Sequence, residues 1–281
     1  MKKYFLGQYE KSMPSNLTWV EKLNLSKEFG FDYLEISIDE NDEKLKRLNW
    51  SLSARKEVLD AMYLTGQRIN TMCLSGHRRF PLGHIDKEIQ KKSLEIMRKA
   101  VDLSSDLGIR LIQLAGYDVY YEESNNETKK IFEENLQECV YLASKKGIIL
   151  AFETMETSFM DTVEKSMEYV KKINSPYLGI YPDIGNLKNA SILYNKSVND
   201  DLKTGKGHIF AAHLKETIPN HYREIEFGKG HTEFIDNLRV LKEMGVYMFT
   251  GEFWYVSNKN WKEVCLNSCK FLKNRLNQVF L

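Results

Sequence analysis

Eight short apolar runs, separated by longer amphipathic stretches, recur along the whole of this 281-residue chain. They occupy residues 4–9, 33–38, 69–74, 111–116, 148–153, 177–183, 208–214 and 247–253. Each is too short for a typical globular helix, and several are rich in Ile, Val, Tyr or Phe, so they read as strands. Helical patterns fall between them near 18–29, 52–65, 87–107, 127–146, 160–173, 192–204, 233–244 and 259–276. Glycines at 30, 66, 108, 147, 205 and 245 follow many of these stretches, where a left-handed residue closes a helix before the next strand. Strand then helix, repeated eight times without a Gly-rich dinucleotide turn, predicts an α/β fold, a single (β/α)₈ TIM barrel over residues 1–281.

Composition agrees with that size. Hydrophobic residues make up 42% and charged residues 28%, enough apolar material for a large core. Forty Lys and Arg against 39 Asp and Glu leave a formal charge of +1, which gives no global field for nucleic acid or an anionic membrane. The opening MKKYFLGQYEKS lacks the apolar segment and cleavage site of a signal peptide, and no window approaches the ~20 apolar residues of a membrane span. A cytoplasmic location is expected. Cys73 reads as core, and Cys265 and Cys269, one helical turn apart, as a shared helix face rather than a disulfide.

In such a barrel the strands end at one mouth, where the chemistry sits. Glu153, Asp183, His213 and Glu252 stand at or just past the ends of predicted strands five to eight. Singly, each has an ordinary reading: a strand-end ion pair for Glu153, a turn or helix cap for Asp183, a satisfied core histidine for His213. Glu252, among Gly251, Phe253 and Trp254, needs a counter-charge. Consecutive strands each supplying one make coincidence the weaker explanation. Together they form a mixed O/N set for one divalent ion (Mn, Zn, Co or Mg) with no soft thiolate.

The chain also resembles a known family. The segments YEKSMP (9–14), CLSGHRRFPLG (73–83), EIMRKA (95–100), IQLAGYDVYY (112–121), YPDIGNL (181–187) and FGKG (227–230) are similar to the L-ribulose-5-phosphate/L-xylulose-5-phosphate 3-epimerases, which are xylose-isomerase-like barrels. The resemblance spans nearly the full length and places the family's metal quartet on the same four residues. It implies inversion at C3 of a ketopentose phosphate in L-ascorbate and L-xylulose utilisation, with Glu153 and Glu252 as the acid/base pair, and a homodimer. No nucleic-acid or membrane partner is expected.

Around the quartet, Glu35 at the end of strand two is a candidate for a sugar hydroxyl or a salt bridge. His77 suits the sugar or a metal-bound water, and Arg78, beside Arg79, suits a phosphate. Lys215 lies two residues after His213, on the same side of the strand, and is expected to hold substrate oxygens. Tyr117 and Tyr120 are candidates to close the pocket. Asn186 stands where related epimerases and endonuclease-type barrels commonly carry histidine. His84, His208, His221 and His231 read as loop or packing residues. Competing readings are an epimerase or isomerase of a free ketose, an endonuclease IV-like phosphodiesterase, and a sugar-binding barrel without turnover. Gln113 and Asn186, where the nuclease's extra histidines are expected, speak against the second; both glutamates speak against the third.

Overall fold

The computed structural model describes residues 3–257 and 259–281. Eight strands, β1 (Phe5–Tyr9), β2 (Tyr33–Ile38), β3 (Arg68–Leu74), β4 (Leu111–Ala115), β5 (Ile149–Glu153), β6 (Leu178–Ile180), β7 (Ala212–Leu214) and β8 (Met248–Gly251), form one sheet in the order β6-β5-β4-β3-β2-β1-β8-β7. Every pairing is parallel. The seam between β6 and β7 closes through two isolated parallel bridges, Ile180 with Ile209 and Asp183 with His213. The barrel expected from the alternation is present.

Among the described residues ten α-helices accompany the strands: α1 (Trp19–Phe29), α2 (Asp42–Lys46), α3 (Leu52–Thr65), α4 (Lys87–Leu107), α5 (Asn126–Ser144), α6 (Val163–Ile173), α7 (Ile184–Tyr194), α8 (Val198–Thr204), α9 (Phe234–Glu243) and α10 (Trp261–Phe280). The helix expected at 192–204 is two. Asp183 caps α7 by accepting from the Asn186 amide at 2.8 Å, and Asn195, left-handed at φ 48°, ends it. Asparagine at 174 does the same for α6. Gly205 departs from the other glycines, with φ −89°; a Cβ there would stand 2.8 Å from Val163 Cγ1, so close packing is what it serves. The short α2 was not anticipated; Asn41 caps it.

Strand alternation divides the interior. Residues such as Leu34, Ile36, Ile112, Leu114, Leu150, Phe152 and Phe249 pack with Met97, Leu136 and Leu272 of the helices in one buried cluster. The opposite parity faces the barrel axis. A small separate cluster there, Leu111, Ala151, Tyr181 and Ala211, is apolar. The residues of the same parity nearer the strand ends are polar: Glu35, Gln113, Glu153, Asp183, His213 and Glu252, all buried. Cys73 is buried in β3, and Cys265 and Cys269 in α10.

Gly7 marks how tightly β1 meets its neighbours. A Cβ there would lie 2.2 Å from Cε2 of Tyr33, a fully buried ring whose hydroxyl donates to the Phe249 carbonyl at 2.8 Å. Gly7→Ala is therefore expected to destabilise the fold by about 1–3 kcal/mol, measured by equilibrium denaturation; an unchanged midpoint would contradict this packing.

Candidate active site

Four strand ends converge. Glu153 closes β5, opposite Ala115 of β4. Asp183 follows Pro182 beyond β6 and is held by the backbone bridge that joins it to His213 of β7. Glu252 follows β8, its amide donating to the Leu214 carbonyl at 2.9 Å. One ligand atom from each of the four lies within 4.8 Å of the others, and all four side chains are buried. His213 Nδ1 stands 3.1 Å from Glu153, 3.4 Å from Glu252 and 3.9 Å from Asp183.

The electrostatics of this cluster follow from burial and proximity. Burial and the Glu252 charge raise the Glu153 pKa. Burial also lifts Asp183 well above the usual carboxylate range, against the opposing pull of Lys215. Burial works the same way on Glu252, but Lys215 and His213 outweigh it and hold that carboxyl well below its ordinary value. His213 is raised well above 6.5: burial opposes its charge, and Glu35 and Glu252 overcome it. The Lys215 ammonium lies 3.1 Å from Asp183 Oδ2 and 3.1 Å from Glu252 Oε2. Neither oxygen has an aligned hydrogen-bond donor. Two buried carboxylate oxygens sharing one ammonium, beside a third carboxylate and an imidazole nitrogen, are a donor set that fits a divalent cation.

Beneath this set lies a sealed polar layer. Glu35 accepts from His213 Nε2 at 2.7 Å, from the Thr71 hydroxyl at 2.7 Å and from the Tyr181 hydroxyl at 3.1 Å. Gln113 donates its amide to Glu153. Asn186 donates its side-chain amide to the Thr154 carbonyl at 2.8 Å, leaving its Oδ1 without a partner at the cavity wall.

Of the residues expected around the substrate, Arg78, Asn186 and Lys215 line the mouth together with Glu153 and Glu252. Glu35, His77 and Tyr117 are placed one layer behind it. Glu35 is enclosed by its three partners. His77, 2% exposed, donates from Nε2 to the Ser93 carbonyl at 3.1 Å and ties its loop to α4. Tyr117 packs on Tyr120, ring centres 5.1 Å apart, and its hydroxyl reaches the Ser75 carbonyl at 3.4 Å. Arg79 is exposed and pairs with Asp42. His231 packs against the Thr217 hydroxyl, and His84 and His221 sit in loops.

The mouth also presents residues that sequence reasoning did not single out: Tyr9, Lys11, Arg223 and Glu156. Lys11 pairs with Asp39. Arg78 lies over the Tyr120 ring at 4.4 Å and, like Arg223, approaches Glu156, at 4.0 and 3.9 Å. Tyr9, Glu10 and Lys11 belong to the YEKSMP block, the available signal for this side of the mouth. Glu10 anchors it: its buried carboxylate binds Lys22, Lys44 and Arg47 at 2.6–2.8 Å. A larger cavity of about 440 Å³ lies outside the mouth, between residues 224–227 and α10, with Trp254 on the border of both. It gathers aromatic rings and no convergent set like the quartet.

Burial lowers the His77 pKa to about 4 from 6.5. The unfolded chain therefore binds more protons between those values, so stability is full above pH 6.5 and declines as pH falls toward 4. Between pH 7 and pH 5, His77→Gln is expected to lose about 2 kcal/mol less stability than wild type in urea unfolding; equal losses would contradict a buried neutral imidazole.

Comparison with known proteins gives the family and agrees with the fold. Residues 23–275 match the xylose isomerase-like TIM barrel family. The L-ribulose-5-phosphate 3-epimerase UlaE of Shigella flexneri is 41% identical over 274 residues, covering 96% of this chain and 94% of that protein. UlaE of Escherichia coli K12 is 45% identical over 240 residues, covering 85% and 83%. Among solved structures, a D-tagatose 3-epimerase-like protein superposes with a TM-score of 0.81 at 21% identity, covering 98% of each chain. An L-ribulose 3-epimerase superposes with 0.75 at 15%, covering 98% and 97%; both likenesses speak for the fold. The chain belongs to the xylose isomerase-like TIM barrels, in the L-ribulose-5-phosphate 3-epimerase family, and is an isomerase of the epimerase type.

Proposed function

We propose that this enzyme interconverts L-xylulose 5-phosphate and L-ribulose 5-phosphate by inversion at C3, serving L-ascorbate and L-xylulose utilisation in the cytoplasm. The observation that carries the reading is the buried quartet, in which two glutamates meet one centre from β5 and β8, with β6 and β7 between them. The family names of the relatives supply the substrate.

A hydrogen on carbon beside a ketone is too weakly acidic to leave unaided. Glu153, Asp183, His213 and Glu252 would hold a divalent cation, which would supply a fixed positive charge for the oxygen that gains electron density. One glutamate removes the C3 proton, the bonding pair moves toward the carbonyl, and a planar enediolate results. The other glutamate delivers a proton to the opposite face, and the roles exchange in the reverse direction. Lys215 and the free Oδ1 of Asn186 line the cavity wall and in this reading orient sugar oxygens.

Lys11, Arg78 and Arg223 at the rim suit the phosphate. All three already face carboxylates, Asp39, Glu40 or Glu156, and a phosphate would compete with these for them. We take the chain as one catalytic domain that works as a homodimer; the exposed Ile192 and Leu193 of α7 offer apolar surface for a second copy. No helix among the described residues is long and apolar enough to cross a membrane.

The test follows C3 hydrogen exchange on L-ribulose 5-phosphate in deuterated water. Exchange is expected to require a divalent ion and to fall roughly 100-fold or more with Glu153→Gln or Glu252→Gln. Exchange that survives a chelator and both substitutions would overturn the mechanism. The phosphorylated pentulose is expected to exceed the free sugar in kcat/KM by about 10–100-fold, the range of one or more charge-assisted contacts; parity would favour a free-ketose epimerase.

A further inference from the structure

Glu35 makes a poor structural residue on its own terms. It is fully buried in the barrel, and its one ion-pair partner among the described residues is His213. A carboxylate removed from water costs several kcal/mol unless paired and hydrogen-bonded, and an apolar side chain would fill the position without that penalty. Both of its oxygens are engaged. Oε1 takes the His213 Nε2 hydrogen at 2.7 Å, and Oε2 accepts from Thr71 at 2.7 Å and Tyr181 at 3.1 Å.

The consequence falls on the imidazole. With Nε2 turned to Glu35, Nδ1 is the nitrogen that faces Glu153, Glu252 and Asp183. Tyr181 fixes the ring a second way, packing edge-on against it with centres 4.8 Å apart. The Tyr181 hydroxyl also lies 2.8 Å from the Thr250 hydroxyl, itself 2.9 Å from that of Tyr33, so a row of buried hydroxyls backs the carboxylate.

We propose that Glu35 is a positioning residue for the divalent cation: by holding the Nε2 hydrogen of His213 it presents the Nδ1 lone pair to the centre and raises its donor strength. A carboxylate behind a ligating histidine sets both the tautomer and the ring angle, and losing such a partner typically weakens metal binding 10–100-fold. The inference rests on the reading of the quartet as a metal site.

Zn²⁺ affinity, measured by competition with a chromogenic chelator, tests it. Glu35→Gln keeps the size and an acceptor but removes the charge, and is expected to weaken Zn²⁺ binding roughly 10–100-fold. Circular dichroism of the metal-free proteins should show both folded, so that the affinities compare folded with folded. Excess Zn²⁺ should restore kcat with KM near the wild-type value. Thr71→Val, which loses one donor to Oε2, should weaken Zn²⁺ in the same direction by a smaller factor, and it supplies the reading if Glu35→Gln does not fold. Unchanged affinity, or a raised KM at saturating Zn²⁺, would overturn the proposal in favour of packing or sugar contact. Wild-type protein that binds no Zn²⁺ would remove the metal reading and this inference with it, whereas normal binding by both proteins removes the inference alone.

Discussion

Four carboxylates, Glu35, Glu153, Asp183 and Glu252, crowd around one imidazole and one ammonium in the mouth of the barrel, and all are buried. Like charges at such separations repel strongly in a medium less polar than water. The fold answers in part with His213, drawn toward its charged form, and with Lys215, whose pKa its carboxylate neighbours raise. A divalent cation held by the quartet would complete that balance. The arrangement is costly for stability, and in the proposed mechanism the same carboxylates, kept from water, would trade protons with a bound carbon acid.

The barrel makes the crowding possible. The bridge between Asp183 and His213 both closes the sheet and sets two of the four groups side by side, so the closing seam of the barrel and the centre are one place. The residues facing the axis change character along the strands, from the apolar cluster of Leu111, Ala151, Tyr181 and Ala211 to the polar layer at the strand ends. The rim is held by separate means. Glu10, kept ionised by Arg47, Lys44 and Lys22 against the penalty of burial, fixes the turn that carries Lys11. Glu156 stands between Arg78 and Arg223 from two other loops, with Tyr120 donating to it at 2.9 Å.

The quartet was readable because each member ends an apolar run, and strand parity sends such residues to the same side. Lys215 was found by the same two-residue spacing. Glu35 could be located but its partner could not: His213 lies 178 residues away, and no local pattern joins them. Lys11 and Arg223 look in sequence like ordinary loop cations. His77 was expected at the sugar or a metal-bound water from the family resemblance, and Tyr117 at the pocket from its loop after strand four; in the structure His77 bonds the Ser93 carbonyl and Tyr117 packs on Tyr120. Helix α7 escaped because its glycine, asparagines and serine are weak helix formers, and the Asp183 cap was its one clear signal.

An anomalous-difference map from crystals grown with Mn²⁺ addresses the centre itself. The account predicts one strong peak per chain, about 2.0–2.4 Å from carboxylate oxygens of Glu153, Asp183 and Glu252 and from His213 Nδ1. A map without density among these four side chains, or a peak ligated through His213 Nε2, would contradict it.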